Sequence, residues 1–224
     1  KHWSRGLGDV YKRQHFEQSL MIRQGLVGKN PSDLDEKAAL SISHNRLGDI
    51  AGMRWDWDQA TRHYQQSAVI REQLASIDPS NSEWQHNLSG AYIRLGDTAK
   101  SRGESEVAAK QYMTAHAVLA NLVEADPKHS NWLRDLAVSC ERLGDIEQQR
   151  NNLKMAEMRY RESHQIRTRL IAMDPSNIYW QYGITVPLDR LGDIASELAD
   201  FESAARHYSE ALRITKTVAA TDPG

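Results

Sequence analysis

Histidine and cysteine are the residues of this 224-residue chain that could ligate a metal or act as nucleophiles. The chain has nine histidines and one cysteine, Cys140, but no His-Glu-x-x-His, Cys-x-x-Cys, Gly-x-Ser-x-Gly or phosphate-loop motif. Several histidines fall instead at positions that recur every 48 residues: His15, His63 and His207 at one, His116 and His164 at another. The sequence therefore predicts no catalytic residue, no metal site and no cofactor, and we expect Cys140 to pack between helices.

A 48-residue repeat organises the chain. The tetrapeptide Arg-Leu-Gly-Asp recurs at this spacing at residues 46–49, 94–97, 142–145 and 190–193. An aromatic residue, an alanine and a proline keep the same register. The aromatic residues are Phe16, Tyr64, Tyr112, Tyr160 and Tyr208. Several marker types in one register indicate a tandem array.

Apolar residues within one repeat follow helical spacing, as in Trp84, Leu88, Ala91, Leu95 and Ala99. A second run of this kind follows, and an Asp-Pro-Ser-Asn segment ends it because proline cannot continue a helix. Ser80 followed by Glu83 predicts a capping box for the next helix. Each repeat is thus predicted to be a hairpin of two helices of roughly twenty residues, which buries its apolar faces by stacking on its neighbours.

The spacing after each Leu-Gly pair resembles that of the tetratricopeptide repeat (TPR) family. From Leu95-Gly96 a glycine, an alanine, an aromatic residue and a second alanine follow at the family's intervals: Gly103, Ala108, Tyr112 and Ala115. The family's usual unit has about 34 residues, so these units resemble the longer Asp-Pro-Ser-Asn-x-x-Trp-Gln…Leu-Gly-Asp repeats of large bacterial proteins. The resemblance implies an all-α, right-handed superhelical solenoid of helical hairpins.

The resemblance also implies that the first helix of each hairpin lines a concave groove. Two positions per repeat would then face it: the residue before Arg-Leu and the aspartate after the glycine. These candidate binding residues are Asn45, Asp49, Ile93, Asp97, Glu141, Asp145, Asp189 and Asp193. Family members that clamp a peptide's C-terminal carboxylate carry asparagine at the aspartate position, so these aspartates do not match that clamp.

Two interpretations of the repeated aspartates stay open. They can form an acidic groove that favours basic or amine-bearing ligands, or a structural ladder in which each aspartate pairs with Arg94, Arg142 or Arg190 on an adjoining helix. The Arg-Asp pair is invariant from repeat to repeat. This favours the ladder, because a surface that reads a partner is expected to vary.

The tryptophans divide into a periodic and an irregular group. Trp84, Trp132 and Trp180 recur at the start of the first helices and are predicted to pack in the core. Trp55 and Trp57 lie together in one inter-helix turn and are candidates for an exposed contact.

Two other features break the repeat. Pro187 lies inside a predicted first helix, where it is either tolerated drift or a bend that reshapes the groove. Ser4–Gln14 can be encoded by the adapter of transposase-based sequencing libraries, so we interpret residues 1–14 as non-native. We expect the remainder to be a fragment of a longer protein. Its units span approximately 15–49, 50–97, 98–145, 146–193 and 194–224, of which the first and last are partial.

Composition limits the function. With 28 lysines and arginines against 30 acidic residues, the chain gives no basis for a nucleic-acid partner. It has no apolar run near the roughly 18 residues of a membrane span, and its lone cysteine fits a reducing compartment. We therefore predict a cytoplasmic, non-enzymatic scaffold that binds a peptide or protein partner in the groove. The alternative is a sensor or oligomerisation arm of a larger bacterial signalling enzyme or NTPase, and the end repeats could also self-associate.

Overall fold

The computed structural model describes the backbone of residues 2–221 and the side chains of residues 11 and 13–221. Over this range the chain is α-helical with short connections, which confirms the predicted all-α class. The helices in chain order are α1 His2–Lys29, α2 Leu34–Met53, α3 Trp57–Ile77, α4 Ser82–Ser101, α5 Ser105–Ala125, α6 Ser130–Gln149, α7 Leu153–Met173, α8 Ile178–Gly183, α9 Thr185–Glu197 and α10 Phe201–Thr221.

The chain forms two compact units, residues 1–118 and 119–224. In the first unit α1 packs on α2, α2 on α3 and α3 on α4. In the second unit α6 packs on α7, α7 on α8 and α9, and α9 on α10. We call α2, α4, α6 and the pair α8–α9 the first helices, and α3, α5, α7 and α10 the second helices.

Helix starts are fixed by short polar side chains. Asp33, Asp56, Asn81 and Asn177 each accept a hydrogen bond from a backbone N–H in the first turn of the helix that follows. The capping box expected from Ser80 is wrong by one residue. Asn81 caps α4, because the Ser80 hydroxyl and N–H both donate to Asp78, at 2.6 and 3.0 Å.

One turn geometry joins the two helices of every hairpin. The residue at its tip takes a left-handed backbone conformation: Trp55 (φ 62°), Gly103 (φ 77°), Asn151 (φ 59°) and Ala199 (φ 59°). The next N–H then donates back to a carbonyl in the last turn of the first helix, as Glu104 does to Ala99 at 2.9 Å. Only glycine adopts this conformation without a steric penalty, so a bulky residue such as Trp55 is unusual there.

A glycine, an aspartate and a tyrosine hold the helices of each hairpin together, and we call this set the lock. The tyrosine ring of the second helix lies where the glycine would carry a Cβ atom, and the tyrosine hydroxyl donates to the aspartate at 2.8–2.9 Å. The four locks are Gly48–Asp49–Tyr64, Gly96–Asp97–Tyr112, Gly144–Asp145–Tyr160 and Gly192–Asp193–Tyr208. A residue larger than glycine would force the two helices apart.

The last first helix departs from the predicted single long helix. It breaks at Ile184 between α8 and α9, three residues before the buried Pro187. Proline has no N–H to donate to the carbonyl four residues earlier, that of Gly183, and its ring needs space there. The break therefore favours the interpretation that Pro187 bends this first helix over the interpretation that it is a substitution without structural effect. The other repeats hold the small residues Ser43, Ala91 and Ser139 at this position.

Replacing a lock glycine tests this packing. In Gly144→Ala the added Cβ would lie 2.5 Å from Cε1 of Tyr160, a ring with 0% exposure. We expect the free energy of unfolding to fall by about 1–3 kcal/mol, as for other overpacked cores. Chemical denaturation followed by circular dichroism measures it. Gly25→Ala in α1 is the matched control, because an added Cβ would have no atom within 4 Å apart from the adjacent backbone of its own helix. This variant should gain up to about 1 kcal/mol. Equal losses in both variants would contradict the lock.

Candidate binding surface of the first helices

The aspartates of the repeated tetrapeptides bind other side chains of the protein. Asp49 accepts from the Tyr64 hydroxyl at 2.9 Å and pairs with Nε of Arg94, on the next hairpin, at 3.2 Å. Burial and the Asp49 carboxylate both raise the pKa of Tyr64, so its hydroxyl stays a donor. These contacts support the ladder interpretation.

The second unit repeats the arrangement. Asp145 accepts from Tyr160 at 2.9 Å, and Nε of Arg190 lies 3.4 Å from its carboxylate. Asp193 accepts from Tyr208 at 2.8 Å and lies 3.4 Å from Nη1 of Arg190. Both aspartates are half-buried, which leaves little free acidic surface for a basic ligand.

The residue before Arg-Leu differs in burial from repeat to repeat. Asn45 and Glu141 are each only 6% exposed, so their side chains lie in the interior and not on a groove. Ile93 is half-buried and Asp189 is exposed. Partial desolvation and the neighbouring Asp193 carboxylate raise the pKa of Asp189. Of the four, Asp189 is best placed to meet a partner.

Glu141 belongs to a buried charged cluster in the second unit. Its carboxylate accepts from Arg167 Nε at 2.6 Å, from Arg167 Nη2 at 3.1 Å and from the Ser163 hydroxyl at 2.6 Å. Glu141 comes from α6, and Ser163 and Arg167 come from α7. This bidentate geometry satisfies both buried charges, and it makes Glu141 a structural residue.

The first unit builds the same cluster without a carboxylate. Arg71, 6% exposed, donates from Nε to the Ser41 hydroxyl at 3.1 Å. The surrounding donors and acceptors assign the Asn45 amide so that its nitrogen donates to the Ser67 hydroxyl at 2.9 Å and its oxygen accepts from Nη2 of Arg71 at 2.7 Å. A further bond runs from Arg71 to the backbone carbonyl of Asn87 in α4.

These polar residues change as a set between repeats. The positions held by Asn45, Ser67 and Arg71, and by Glu141, Ser163 and Arg167, hold Ile93, Ala115 and Leu119 in the repeat between them. This set was not predicted from the sequence. The available signal was its correlated change from polar to apolar at one fixed spacing.

Two histidines meet between α2 and α3. Nδ1 of His44 lies 3.1 Å from Nδ1 of His63, so one ring donates and the other accepts. Burial, and then the charge of His63, lower the pKa of His44 to about 4. Burial also lowers the pKa of His63, with Arg62 lowering it further and Glu17 opposing. The pair is therefore neutral near pH 7.

Cysteine and tryptophan lie largely as predicted. Cys140 is fully buried, and burial raises the pKa of its thiol, consistent with a packing role. Trp132 is buried and stacks on His129 with ring centroids 3.8 Å apart, whereas Trp84 and Trp180 are half-buried. In the irregular turn Trp55 is 77% exposed and meets the half-buried Trp57 edge to face.

The broken first helix borders a groove of about 450 Å³ between α7, α8 and α10. Its apolar residues are Ile171, Ile184 and Ile214. Glu210 and Arg213 also line it, with Nη2 of Arg213 3.9 Å from Oε1 of Glu210. Its volume falls within the range of about 300–1,000 Å³ that is typical of small-molecule pockets.

The buried cluster generates a stability prediction. Glu141→Gln leaves Arg167 buried without a counter-charge and should lower the free energy of unfolding by about 3–5 kcal/mol. The triple variant Glu141→Ile, Ser163→Ala, Arg167→Leu copies the apolar set of the preceding repeat and should recover most of that loss. Urea denaturation measures both. A triple variant as unstable as Glu141→Gln would show that the charges are needed for folding.

The histidine pair generates a pH prediction. The folded-state pKa of His44, about 4, lies below the usual value of 6.5. Its contribution to stability is therefore complete above pH 6.5 and is lost as the pH falls from 6.5 towards 4, at up to about 1.4 kcal/mol per pH unit. His44→Leu copies Leu188, its counterpart in the last repeat. Its urea-unfolding free energy should depend less on pH than that of the wild type, and identical pH profiles would rule out this role.

Each helix within residues 2–221 is too short or too polar to cross a membrane. No protein-family model matches the chain, and no curated protein is significantly similar to it. Solved structures are similar in fold. BtubC from P. vanneervenii is 15% identical, with a TM-score of 0.54 over 93% of this chain and 91% of that one.

MamA structures are similar to the same degree. The chain of MamA from residue 41 onward, from Desulfovibrio magneticus RS-1, is 15% identical, with a TM-score of 0.52 over 92% of this chain and 89% of that one. An RS-1 MamA double mutant gives a TM-score of 0.53 at 15% identity, over 96% of this chain and 91% of that one. At such identities the similarity concerns the fold alone. The chain therefore has the all-α, TPR-like fold of stacked helical hairpins.

Proposed function

We propose that this chain is a non-catalytic scaffold that binds a peptide or protein partner along the exposed side of its first helices. The observation that carries the proposal is that the constant and the variable side chains of the repeats have different roles. Residues that are constant from repeat to repeat hold the hairpins together, whereas several exposed or half-buried positions on the first helices differ between repeats.

Three positions illustrate this variation. One holds Asp35, Glu83, Asn131 and Tyr179; the next holds Ala38, His86, Arg134 and Tyr182; the third holds Ile42, Gly90, Val138 and Val186. Within each unit, neighbouring first helices thus present different side chains to a partner, as repeats do in proteins that bind other chains.

The short helix α8 supports a contact in the second unit. Tyr179 is 82% exposed and Tyr182 is 54% exposed, both on this six-residue helix. Tyrosine is enriched at protein interfaces because it buries a large ring and keeps a hydrogen-bonding tip. Together with the exposed Asp189 on α9, these side chains form the surface we assign to the partner.

A second candidate is self-association, either of the chain alone or as an oligomerisation arm of a larger bacterial signalling enzyme or NTPase. Tyr208 of the last lock is 39% exposed, whereas the other lock tyrosines are at most 7% exposed. Phe201 and Leu212 on the same helix are 69% and 54% exposed. This apolar face fits a second helical hairpin.

The long bacterial repeat type, the cytoplasmic location and the unit boundaries given above stay predictions.

Peptide display tests the proposed function. The immobilised chain should enrich binders from a random peptide library. The triple variant Tyr179→Ala, Tyr182→Ala, Asp189→Ala should weaken their binding by about tenfold or more, because truncating interface aromatics commonly costs over 1 kcal/mol.

The matched control replaces exposed residues of a second helix, Met155, Met158 and Arg161 in α7, by alanine. These changes should leave affinity within about twofold, as surface changes outside an interface do. The opposite pattern, with loss only in the α7 variant, would move the binding surface to the second helices and overturn the proposal.

A further inference from the structure

Arginine recurs at one position of the second helices and of α1, as Arg23, Arg71 and Arg167. Arg23 donates to Glu36 at 3.0 Å, and Arg167 binds Glu141 through two nitrogens. The hydrogen-bond partners of Arg71 are instead all neutral: the Ser41 hydroxyl, the Asn45 amide oxygen and the Asn87 carbonyl. Arg71 is thus the member of this series held by neutral groups.

This difference matters because Arg71 is buried. Burial, and then the positive charge of Arg94, lower the pKa of Arg71 to about 10. The guanidinium still carries its charge at neutral pH. A buried cation without a counter-charge is costly, and an anion brought beside it is bound more strongly than one at an open surface.

Gly90 in α4 leaves a position without a side chain beside this charge, and we call this position the notch. A Cβ atom added to Gly90 would lie 3.8 Å from Nη1 of Arg94 and 4.0 Å from Nη1 of Arg71, so the empty position is flanked by two guanidinium groups. The other repeats fill this position with Ile42, Val138 and Val186. Gly90 is partly exposed, and the Arg94 side chain keeps 39% of its surface exposed.

The neighbouring carboxylates do not neutralise both arginines. Asp49 binds Nε of Arg94, while Nη1 of Arg94 lies 3.4 Å from the Gly90 carbonyl. Glu72 accepts from the Tyr92 hydroxyl at 2.7 Å. Asp49 is thus the carboxylate that meets Arg94, whereas the hydrogen bonds of Arg71 go to neutral groups.

We propose that the notch at Gly90, between Arg71 and Arg94, binds the carboxylate of an aspartate or glutamate side chain on the protein partner. The proposal rests on the protein-binding function given above and adds a chemical preference for an acidic partner segment. A carboxylate fits because it is planar, small enough to lie over a residue without a side chain, and suited to the fork of a guanidinium.

The test uses a hexaglutamate peptide with an acetylated N-terminus and an amidated C-terminus, so that its carboxylates are all side chains. Isothermal titration calorimetry at low ionic strength should show saturable binding that weakens as salt is added. The capped hexaglutamine peptide should not bind.

Two variants close the site in independent ways. Asn45→Glu supplies Arg71 with the counter-charge that Glu141 gives Arg167, and Gly90→Val fills the notch as Val186 does. Each should weaken hexaglutamate binding by about tenfold or more, the scale expected when one charged contact is lost. Asn45→Gln, which is larger but neutral, should retain binding, and thermal unfolding should confirm that all three variants are folded.

The second unit provides the negative control. Val186→Gly opens the matching position beside Arg167, which Glu141 already neutralises, so in the Asn45→Glu background it should not restore binding. Absence of saturable hexaglutamate binding, or equal binding by the wild type, Asn45→Glu and Gly90→Val, would overturn the anion site. Display-selected peptides that still depend on Tyr179, Tyr182 and Asp189 would then leave the proposed function intact.

Discussion

The close approach of a tyrosine ring to a glycine is the contact on which the rest of the structure depends. Because glycine leaves no Cβ in the way, the second helix of each hairpin lies near enough for the tyrosine hydroxyl to reach the adjacent aspartate. The aspartate is then positioned to pair with an arginine of the next hairpin in the same unit. One steric condition thus sets the geometry within a hairpin and the point of attachment for its neighbour.

The buried polar clusters show how such a frame tolerates change. Asn45, Ser67 and Arg71 differ from Glu141, Ser163 and Arg167 chiefly in the presence of a carboxylate, and the repeat between them uses apolar residues at all three positions. Buried ion pairs and well-packed apolar groups can be similar in net stability, provided that each set is complete. Selection therefore acts on the three residues together. The set around Arg71 is unusual because it keeps the buried arginine but has asparagine where the set around Arg167 has a carboxylate.

Periodicity in the sequence was sufficient to predict the helical hairpins, the class of fold and the burial of Cys140. It was also sufficient to favour an Asp–Arg ladder, since both residues recur without variation. The tyrosine as the second partner of each aspartate was not foreseen, although both were recognised as periodic.

The burial of Asn45 and Glu141 could not be read from spacing alone, because it depends on Arg71 and Arg167, which lie 26 residues further along the chain. Family resemblance placed these two residues on a groove, whereas the need to neutralise or hydrogen-bond a buried guanidinium places them inside. The cap at Asn81 differs from the expectation because Asp78 competes for Ser80.

The short chain separation of each lock has a consequence for the speed of folding. Tyrosine and aspartate are 15 residues apart in all four locks, whereas the Arg94–Asp49 bridge joins residues 45 apart. Closing a short loop costs less chain entropy than closing a long one, so the locks can form before the bridges between hairpins. Nucleation can therefore start in any hairpin and spread to its neighbours. Lengthening such an array would add new starting points without adding a slower first step.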